Sequence, residues 1–396
     1  MLGDNNTIRR KRSLLFVINS ICYGGSEKHL LELIERLEGC NVQSIVLSTD
    51  SDPFTERLKD GCHSSVSIRS ENSLKSFMDW SRVFREIRPD VVVLVYGSLW
   101  MLPWLAAAAG WVAGVQRLYA IQHQSTPPPP EPLILEIKST RDVLRRIFGK
   151  RARRLLSARV PPYLCNKTIC VSDAVRDNLI RQYRFPARKM LTIHNGVSSV
   201  DFAPGRSNGT AIRTKLGIRP DELVLVCTSR LSQEKGLDVL LKAFSMILHG
   251  NLSCKLIIIG DGYLHDKLME QIEELNLSQN VFMEGFQDDV RPYLCAADAF
   301  VLTSHVEGLP FSVLEAMACG LPCIVTNVGG NSEAVIHNVN GLVVNPGSAE
   351  EVVQAISYLL TQPQERTRMG NASRSRVLKE FDIEACMSEI KRVILS

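Results

Sequence analysis

Short apolar runs rich in valine and isoleucine alternate with helical patterns along the whole chain. In the first half, these runs predict strands near 14–19, 44–48, 66–68, 91–95, 118–123, 168–171 and 191–194. In the second half, they predict strands near 223–228, 256–259, 281–284, 300–303, 323–326 and 342–344. Apolar strands separated by helices indicate parallel sheets that are covered on both faces. The pattern therefore predicts an α/β protein with two doubly wound, Rossmann-like domains.

The polar stretch 203–210, A-P-G-R-S-N-G-T, is typical of a linker between such domains. We therefore expect a first domain over 1–200, a second over 201–384, and a C-terminal helix over 385–396 that packs back on the first domain. In folds of this class, ligands bind beyond the carboxyl ends of the strands. Functional residues are therefore expected there, facing a central cleft between the domains.

Composition limits the function classes. The 396 residues are enough for two domains with full cores, and 45% hydrophobic with 22% charged content is typical of a globular protein. A net charge of +4 gives no indication of a nucleic-acid partner, and we expect none. The eleven cysteines contain no C-x2-C pair, which predicts reduced, buried thiols in a cytoplasmic protein. The start R-R-K-R-S-L-L-F-V-I-N-S resembles a signal peptide in its basic residues. Its apolar run of five residues is too short for one and predicts a strand. No apolar run approaches the ~20 residues that span a bilayer.

The stretch V-E-G-L-P-F-S-V-L-E-A-M-A-C-G, 306–320, carries two carboxylates around a predicted helix start. Pro310 suits the first turn and Gly320 the end of this helix. A helix N-terminus attracts anions through its backbone amides and its dipole. Glu307 precedes the helix and Glu315 lies about one turn inside it, too far apart for a close acid/base pair. We expect them at opposite ends of one elongated, phosphate-bearing ligand.

Three further sites follow predicted strands. Gly24 and Gly25 allow a backbone to approach a ligand closely, although a tight strand-to-helix turn explains them equally well. Arg230 and Lys235 suit a diphosphate, and the alternative is two solvated loop cations. His123 ends a strand and is either a general acid/base group or a capped polar residue.

Several motifs follow one another in order: G-G-S-E-K, I-H-N-G-V, S-R-L-S-Q-E-K-G, G-D-G, E-G-F-Q-D-D-V and E-G-L-P-F-S-V-L-E-A-M-A-C-G-L-P-C-I-V-T-N-V-G-G. Together they resemble the family 4 retaining glycosyltransferases (glycosyl transferases group 1), which have the GT-B fold. The resemblance begins near Leu14 and is strongest over 193–345. Its most specific part is E-x7-E combined with R-x4-K.

The resemblance implies a role for each candidate. Arg230 and Lys235 would bind the diphosphate of a nucleotide sugar and stabilise it as the leaving group. Glu315 would hydrogen-bond the ribose, Glu307 would contact the donor sugar near the reacting carbon, and His123 would lie beside that sugar on the acceptor side. Further donor contacts are implied for the following residues: Gly24 and Gly25 at the diphosphate, Gly285 and Phe286 around the base, and the backbone of Leu309, Pro310, Phe311 and Ser312 at the sugar and phosphates.

The implied reaction is transfer of a hexosyl or N-acetylhexosaminyl group with retained configuration. The donor would be a nucleotide sugar, most often a UDP-sugar in this family, and the acceptor a glycan or polyprenyl-linked molecule of surface polysaccharide or lipopolysaccharide assembly. No cofactor and no metal ion would be required. Asp50-Ser51-Asp52 matches the metal-binding D-x-D of another glycosyltransferase fold, but before Pro53 it is more simply a turn.

Two alternatives stay open: a nucleotide-sugar epimerase on the same fold, and a non-catalytic sugar-nucleotide-binding assembly subunit. A dinucleotide dehydrogenase is disfavoured because no G-x-G-x-x-G follows the first strand.

A basic segment suggests a peripheral location on the inner face of the cell membrane. Between Arg141 and Lys167 there are nine lysines or arginines and one acid. Apolar residues within it recur at helical spacing, which predicts a basic amphipathic helix. Contact with anionic lipid is one interpretation, and a solvated helix face is the other.

Overall fold

The computed structural model describes residues 12–19, 24–37, 40–47, 64–67, 74–97, 104–124, 161–250 and 253–396. The chain divides into two compact units. Unit 1 takes Met1–Val171, Val175–Ile193 and Met387–Ser396, and unit 2 takes Ser172–Ala174 and His194–Cys386. Asp50, Asp52 and residues 141–160 of the basic segment lie outside the described residues.

Each unit contains one sheet, and every strand pairing described is parallel. The strands of unit 1 are β1 Ser13–Asn19, β2 Asn41–Leu47, β3 Ser64–Ser67, β4 Val91–Tyr96, β5 Arg117–Gln122, β6 Lys167–Cys170 and β7 Met190–Thr192. Those of unit 2 are β8 Leu223–Thr228, β9 Cys254–Ile259, β10 Val281–Met283, β11 Ala299–Leu302, β12 Cys323–Thr326 and β13 Gly341–Val344.

Helices connect these strands. The helices before the change to unit 2 at Ile193–His194 are α1 Gly25–Glu35, α2 Leu74–Ile87, α3 Trp104–Val112, α4 Pro161–Leu164 and α5 Asp173–Arg181. Those after it are α6 Gly209–Lys215, α7 Leu237–His249, α8 His265–Glu274, α9 Arg291–Ala296, α10 Phe311–Ala318, α11 Asn331–Ala334, α12 Ala349–Thr361, α13 Pro363–Glu380 and α14 Ile383–Leu395. No helix in the described part of the chain is both long and apolar enough to cross a membrane.

The strand order is β3-β2-β1-β4-β5-β6-β7 in unit 1 and β10-β9-β8-β11-β12-β13 in unit 2. Both orders reverse direction in the middle, between β1 and β4 and between β8 and β11, as in doubly wound folds. All residues of β4 and of β12 are buried, because helices cover both faces of such a sheet. The predicted fold, two Rossmann-like α/β domains, is confirmed.

The polar stretch 203–210 lies inside unit 2, whereas the chain passes from unit 1 to unit 2 at Ile193–His194, directly after β7. Gly209, the first residue of α6, packs so closely that a β-carbon there would collide with the backbone of Cys295. The small, polar residues that indicated a linker thus allow a close packing contact within unit 2.

The end of the chain belongs to unit 1. Within α14, the Lys391 ammonium donates a hydrogen bond of 3.1 Å to the carbonyl of Arg36, at the end of α1. Residues Ile390 and Ile394 are fully buried. Unit 1 is therefore assembled from both ends of the chain.

Candidate active site

The candidate donor-site residues of unit 2 follow four neighbouring strands. Because β9, β8, β11 and β12 are adjacent and parallel, the loops after them meet at one edge of the sheet. Arg230 follows β8, the G-D-G loop follows β9, Glu307 follows β11, and the glycine pair 329–330 follows β12. Four separate motifs of the sequence are thus brought together.

Lys235 and Glu307 form the central ion pair of this edge. The Lys235 Nζ lies 2.6 Å from Glu307 Oε1, and the side chains are only 12% and 3% exposed. Ser304, in the loop after β11, donates a second hydrogen bond of 2.7 Å to the same oxygen. A buried carboxylate is thereby held in one orientation by a cation and a hydroxyl.

Glycines fix the loop that carries Glu307. Gly329 has a φ of 52°, and a β-carbon there would collide with the Glu307 carbonyl. Gly330 donates its N–H to the carbonyl of Gly308 at 2.5 Å. Only residues without a side chain allow this close approach, so the V-G-G sequence after β12 sets the position of the glutamate.

Arg230 lies at the exposed side of the site. Its side chain is 49% exposed, and one guanidinium nitrogen lies 2.9 Å from Glu234 Oε1. The G-D-G loop supports it from β9, because Leu231 donates its N–H to the carbonyl of Asp261 at 2.9 Å. At Gly260, with a φ of 140°, a β-carbon would collide with the Ser229 carbonyl.

Helix α10 begins at Phe311, and Pro310 is its N-cap with extended backbone. Proline has no N–H, so Pro310 cannot donate to a ligand, and the amide donors of 309–312 belong to Leu309, Phe311 and Ser312. Asn195 fixes this start by donating a 2.7 Å hydrogen bond to the Leu309 carbonyl. Glu315, the fifth residue of the helix, is 6% exposed.

Gly285 and Phe286, the predicted base contacts, follow β10. Gly285 has a φ of 67°, and its carbonyl accepts the Gly260 N–H at 2.8 Å, which ties it to the G-D-G loop. The Phe286 side chain is 53% exposed. An exposed aromatic face beside a fixed glycine turn is suited to stacking on a planar base.

In unit 1, His123 follows β5 and is buried against His29 of α1. The His29 Nδ1 lies 3.3 Å from His123 Nε2, and the rings meet edge to face at 5.0 Å. Burial lowers the pKa of His29 to about 4. Burial, with His29 as a neighbour, lowers the pKa of His123 well below its usual value. Both imidazoles are therefore neutral at physiological pH.

Gly24 is the N-cap of α1, and its backbone is extended. Among the described residues, the nearest atom to a β-carbon there would be Glu27 Oε2 at 3.5 Å, an ordinary contact. Neither backbone conformation nor these neighbours require glycine at this position. Glycine is a favoured N-cap residue, and a ligand that approaches the backbone would be a second reason for it.

A second polar cluster in unit 2 caps a helix. Both carboxylate oxygens of Glu333 accept amide hydrogens at the start of α5, from Asp173 at 2.8 Å and Ala174 at 2.7 Å. His194 Nε2 lies 3.0 Å away. Burial opposes ionisation, but the bonds from His194 and the two amides lower the pKa of Glu333 overall. Asp173, His194 and Glu333 have metal-ligand spacing, yet the capping bonds already account for the carboxylate.

The sequence interpretation gave no role to Ser304, His29, Asn195 or the glycine pair 329–330. Ser304 and Asn195 are polar residues in the loops that follow β11 and β7, a signal that could have identified them. His29 falls among the buried residues of α1 with Leu30 and Leu33, where a polar side chain in an apolar stripe indicates a buried partner.

Two family models match the chain: "Glycosyltransferase Family 4" over 23–199 and "Glycosyl transferases group 1" over 208–376. Together they cover most of both units. The chain belongs to the family 4 glycosyltransferases.

Among curated relatives, this glycosyltransferase is similar to UDP-Gal:alpha-D-GlcNAc-diphosphoundecaprenol alpha-1,3-galactosyltransferase of Escherichia coli. The two are 28% identical over 93% of this chain and 92% of the relative. N-acetyl-alpha-D-glucosaminyl L-malate synthase of Bacillus anthracis is 27% identical over 52% of this chain and 54% of the relative.

Solved structures share the fold. Anabaena Alr3699/HepE in complex with UDP-glucose superimposes with a TM-score of 0.78 at 22% identity, over 96% of this chain and 98% of that one. The apo lipopolysaccharide outer core galactosyltransferase WaaB gives 0.68 at 17% identity, over 97% and 99%. The glycosyltransferase fold predicted from the motifs is thus confirmed.

Proposed function

We propose that this glycosyltransferase moves a sugar from a UDP-sugar to a lipid-linked or glycan acceptor in surface polysaccharide assembly, with retained anomeric configuration and without a metal ion. The observation that carries the proposal is the buried Lys235–Glu307 pair at the carboxyl ends of β8 and β11. The E. coli relative, whose name specifies a UDP-galactose donor and a diphosphoundecaprenol acceptor, supports the donor and acceptor classes.

The donor would bind along the strand ends of unit 2. Lys235 and Arg230 supply a point charge and a planar fork to the diphosphate, and the amides of Leu309, Phe311 and Ser312 add donors with a favourable helix dipole. Glu315, inside the helix, would accept from ribose hydroxyls. Glu307, held by Lys235 and Ser304, would accept from sugar hydroxyls.

The chemical role of these groups follows from charge. Cleavage of the sugar–phosphate bond develops negative charge on the leaving diphosphate, and preorganised cations and amides stabilise that charge without reorganisation. Lys235 is held in place by its ion pair with Glu307, which supports this role. A bound metal ion would duplicate the function of Arg230 and Lys235.

His123 would act by hydrogen bonding to the donor sugar. Its neutral imidazole, with a pKa well below the usual value, can accept or donate a hydrogen bond without carrying a charge. Gly24 and Gly25 would allow the backbone to approach the diphosphate. Gly285 and Phe286 would bracket the base.

The proposal is tested by thermal-shift screening against UDP, GDP, ADP and their sugars, followed by transfer assays. The acceptor would be a short-chain polyprenyl-diphosphate sugar, and proton NMR would assign the anomeric configuration of the product. We expect UDP-sugars to stabilise the protein and transfer to persist in EDTA. Strict dependence on manganese, an inverted product, or epimerised donor without any transfer would contradict it.

Peripheral contact with anionic membrane is proposed for the segment between Arg141 and Lys167, on its charge pattern alone. Flotation with anionic liposomes, before and after Arg145, Arg146, Arg153 and Arg154 are changed to glutamate, tests it. We expect the wild-type protein to float and the variant to remain at the bottom, and equal flotation would refute the contact.

A further inference from the structure

A tyrosine in the loop after β9 contacts the loop that carries Lys235. Tyr263 follows the G-D-G sequence, and its side chain is 74% exposed. Single exposed aromatic side chains are common on protein surfaces, so this exposure indicates little by itself. The Tyr263 hydroxyl, however, accepts the backbone N–H of Gln233 at 3.0 Å. The side chain therefore has a defined partner, 30 residues earlier in the chain.

Gln233 begins one turn of 3₁₀ helix, Gln233–Lys235, which ends at a candidate diphosphate-binding residue. The first N–H groups of a helix have no partner within it. Ser232 is the N-cap of this turn, a position at which a serine hydroxyl commonly accepts from these groups. Its side chain makes no capping bond here. The Tyr263 hydroxyl therefore caps the turn from a different loop.

Backbone contacts bring Tyr263 to this position. Leu231 donates its N–H to the Asp261 carbonyl at 2.9 Å and accepts the N–H of Leu264 at 3.1 Å. These two bonds lie on either side of Tyr263 in the sequence and join the loops after β8 and β9. At Gly262, a β-carbon would collide with the Leu231 carbonyl. A glycine directly before Tyr263 thus permits the close approach that lets the hydroxyl reach the turn.

The loop after β11 holds the other side of the same turn. His305, in that loop, donates its N–H to the Glu234 carbonyl at 2.7 Å. The Lys235 ammonium pairs with Glu307 at 2.6 Å. The turn is therefore clamped between the loops after β9 and β11, and the Tyr263 hydroxyl is a side-chain contact on the β9 side.

We propose that Tyr263 is a positioning residue for glycosyl transfer, which rests on the proposed function in which Lys235 binds the donor diphosphate. The hydroxyl fixes the start of the 3₁₀ turn and, through the turn, the place of the Lys235 ammonium. Such a turn rises about 2 Å per residue, so the capped N–H lies only about 4 Å along the axis from Lys235. A misplacement of about 1 Å in a catalytic site costs on the order of 10²-fold in rate. Tyr263 therefore affects the reaction without touching the donor.

Tyr263→Phe is the direct test, because it removes one oxygen and leaves the ring. Gln233 is exposed, so water replaces the lost partner, and the urea midpoint of unfolding should stay unchanged. The start of the turn becomes free to shift. We expect the affinity for UDP to fall by about 5- to 10-fold, the effect of one lost hydrogen bond. Isothermal titration calorimetry with UDP on the full chain measures this affinity.

The transfer reaction should show the same loss mainly in kcat. Negative charge develops on the diphosphate during bond cleavage, so Lys235 interacts more strongly with the transition state than with the bound donor. We expect kcat of Tyr263→Phe to fall by about 5- to 10-fold, while KM for the UDP-sugar changes by less than about 2-fold. A change confined to KM would contradict a role through Lys235.

Tyr358→Phe is the matched control. Tyr358 lies in α12 of unit 2, a helix that contributes no candidate donor-site residue, and its side chain is 40% exposed. Removal of the same oxygen there should leave UDP affinity and kcat unchanged. Equal losses in the two variants would contradict a specific role for Tyr263.

A double-variant cycle tests whether Tyr263 acts through Lys235. In the Lys235→Met background, Tyr263→Phe should change UDP affinity by less than about 2-fold, because the group that it positions is absent. A direct contact of Tyr263 with the nucleotide, or a general effect on folding, would give the same factor in both backgrounds and would overturn the proposal. If circular dichroism shows that Lys235→Met is unfolded, Lys235→Met with Glu307→Gln provides the background.

The cycle also separates this proposal from the proposed function. Loss of UDP affinity in Lys235→Met together with wild-type affinity and kcat in Tyr263→Phe would overturn the positioning role alone. Wild-type UDP affinity in folded Lys235→Met would overturn both, since Lys235 would then not bind the diphosphate. If GDP or ADP stabilises the protein in place of UDP, the same cycle is measured with that diphosphate and has the same expected outcomes.

Discussion

Both units bury titratable side chains near the ends of their strands, but these side chains are charged in unit 2 and neutral in unit 1. In unit 2, Lys235 and Glu307 form an ion pair at 2.6 Å in a nearly buried position. In unit 1, His123 and His29 are buried together, and burial holds both pKa values below the usual range. Unit 2 thus fixes charges that suit a phosphate-bearing donor, whereas unit 1 keeps neutral hydrogen-bonding groups. Variants can separate these two strategies by their effects on the free energy of unfolding.

Changing Lys235 to Met should have the largest effect. It leaves Glu307 as a buried carboxylate without its cation, which costs about 3–5 kcal/mol of unfolding free energy. Turnover should fall by on the order of 10²-fold or more because the leaving diphosphate loses a preorganised charge. Urea unfolding and a transfer assay measure the two effects.

The double variant Lys235→Met with Glu307→Gln is the control. Removing both charges relieves the uncompensated carboxylate, so most of the stability should return. Turnover should stay low, because neither the cation nor the sugar contact is restored. A double variant as unstable as the single one would show that the ion pair is not the source of the loss.

Changing Gly329 to Ala tests the backbone that positions Glu307. A β-carbon would collide with the Glu307 carbonyl, and alanine is also disfavoured at positive φ. We expect a loss of about 3 kcal/mol in unfolding free energy. Gly347→Ala is the matched control, because Gly347 has a φ of 80° with no atom within 4 Å of a β-carbon. It should cost roughly 1–2 kcal/mol, and equal losses would contradict the role given to the close contact.

The sheets were the most predictable part of the molecule. Apolar runs such as V-V-V-L-V and C-I-V-T correspond to β4 and β12, because strands buried on both faces must be continuously apolar. The stretch 203–210 was not recognisable as part of unit 2. Its glycine and polar residues are the same whether a segment is a solvated linker or packs closely against Cys295.

Arg230, Lys235 and Glu315 were assigned to the donor site because a diphosphate and a ribose require these residue types, and those roles remain predictions. The contacts of such residues across long distances in the sequence could not be predicted. The contact of Lys235 with Glu307 spans 72 residues, and that of His29 with His123 spans 94. No local pattern encodes such pairs, because they result from the order in which the strands and their following helices are arranged in each unit.

Unit 1 should lose stability on mild acidification. The pKa of His29 is about 4 in the folded protein and 6.5 in an unfolded chain. The unfolded state therefore binds more protons between these values, and stability falls as pH decreases. Lowering pH from 7 to 5 should cost roughly 2 kcal/mol from His29. All four tryptophans, at 80, 100, 104 and 111, belong to unit 1, so their fluorescence during urea unfolding reports this unit.

His29→Gln should reduce that pH dependence, since glutamine does not titrate. His265→Gln is the control, because His265 lies in unit 2 and its side chain is 46% exposed. A pH dependence that is unchanged in His29→Gln would contradict the assignment.

Arg230→Gln should have the smallest effect on stability while still impairing catalysis. The guanidinium is 49% exposed, and its ion pair with Glu234 is a surface pair, so the unfolding free energy should change by less than about 1 kcal/mol. Turnover should nevertheless fall by on the order of 10²-fold, because the planar fork of donors to the diphosphate is lost.

Arg219→Gln is the matched control, since Arg219 is 67% exposed beside Asp221 and lies before β8. It should leave turnover unchanged. Similar turnover in the two variants would contradict the assignment of Arg230 to the donor site. A loss of turnover confined to Arg230→Gln would show that this cation serves the reaction rather than the fold.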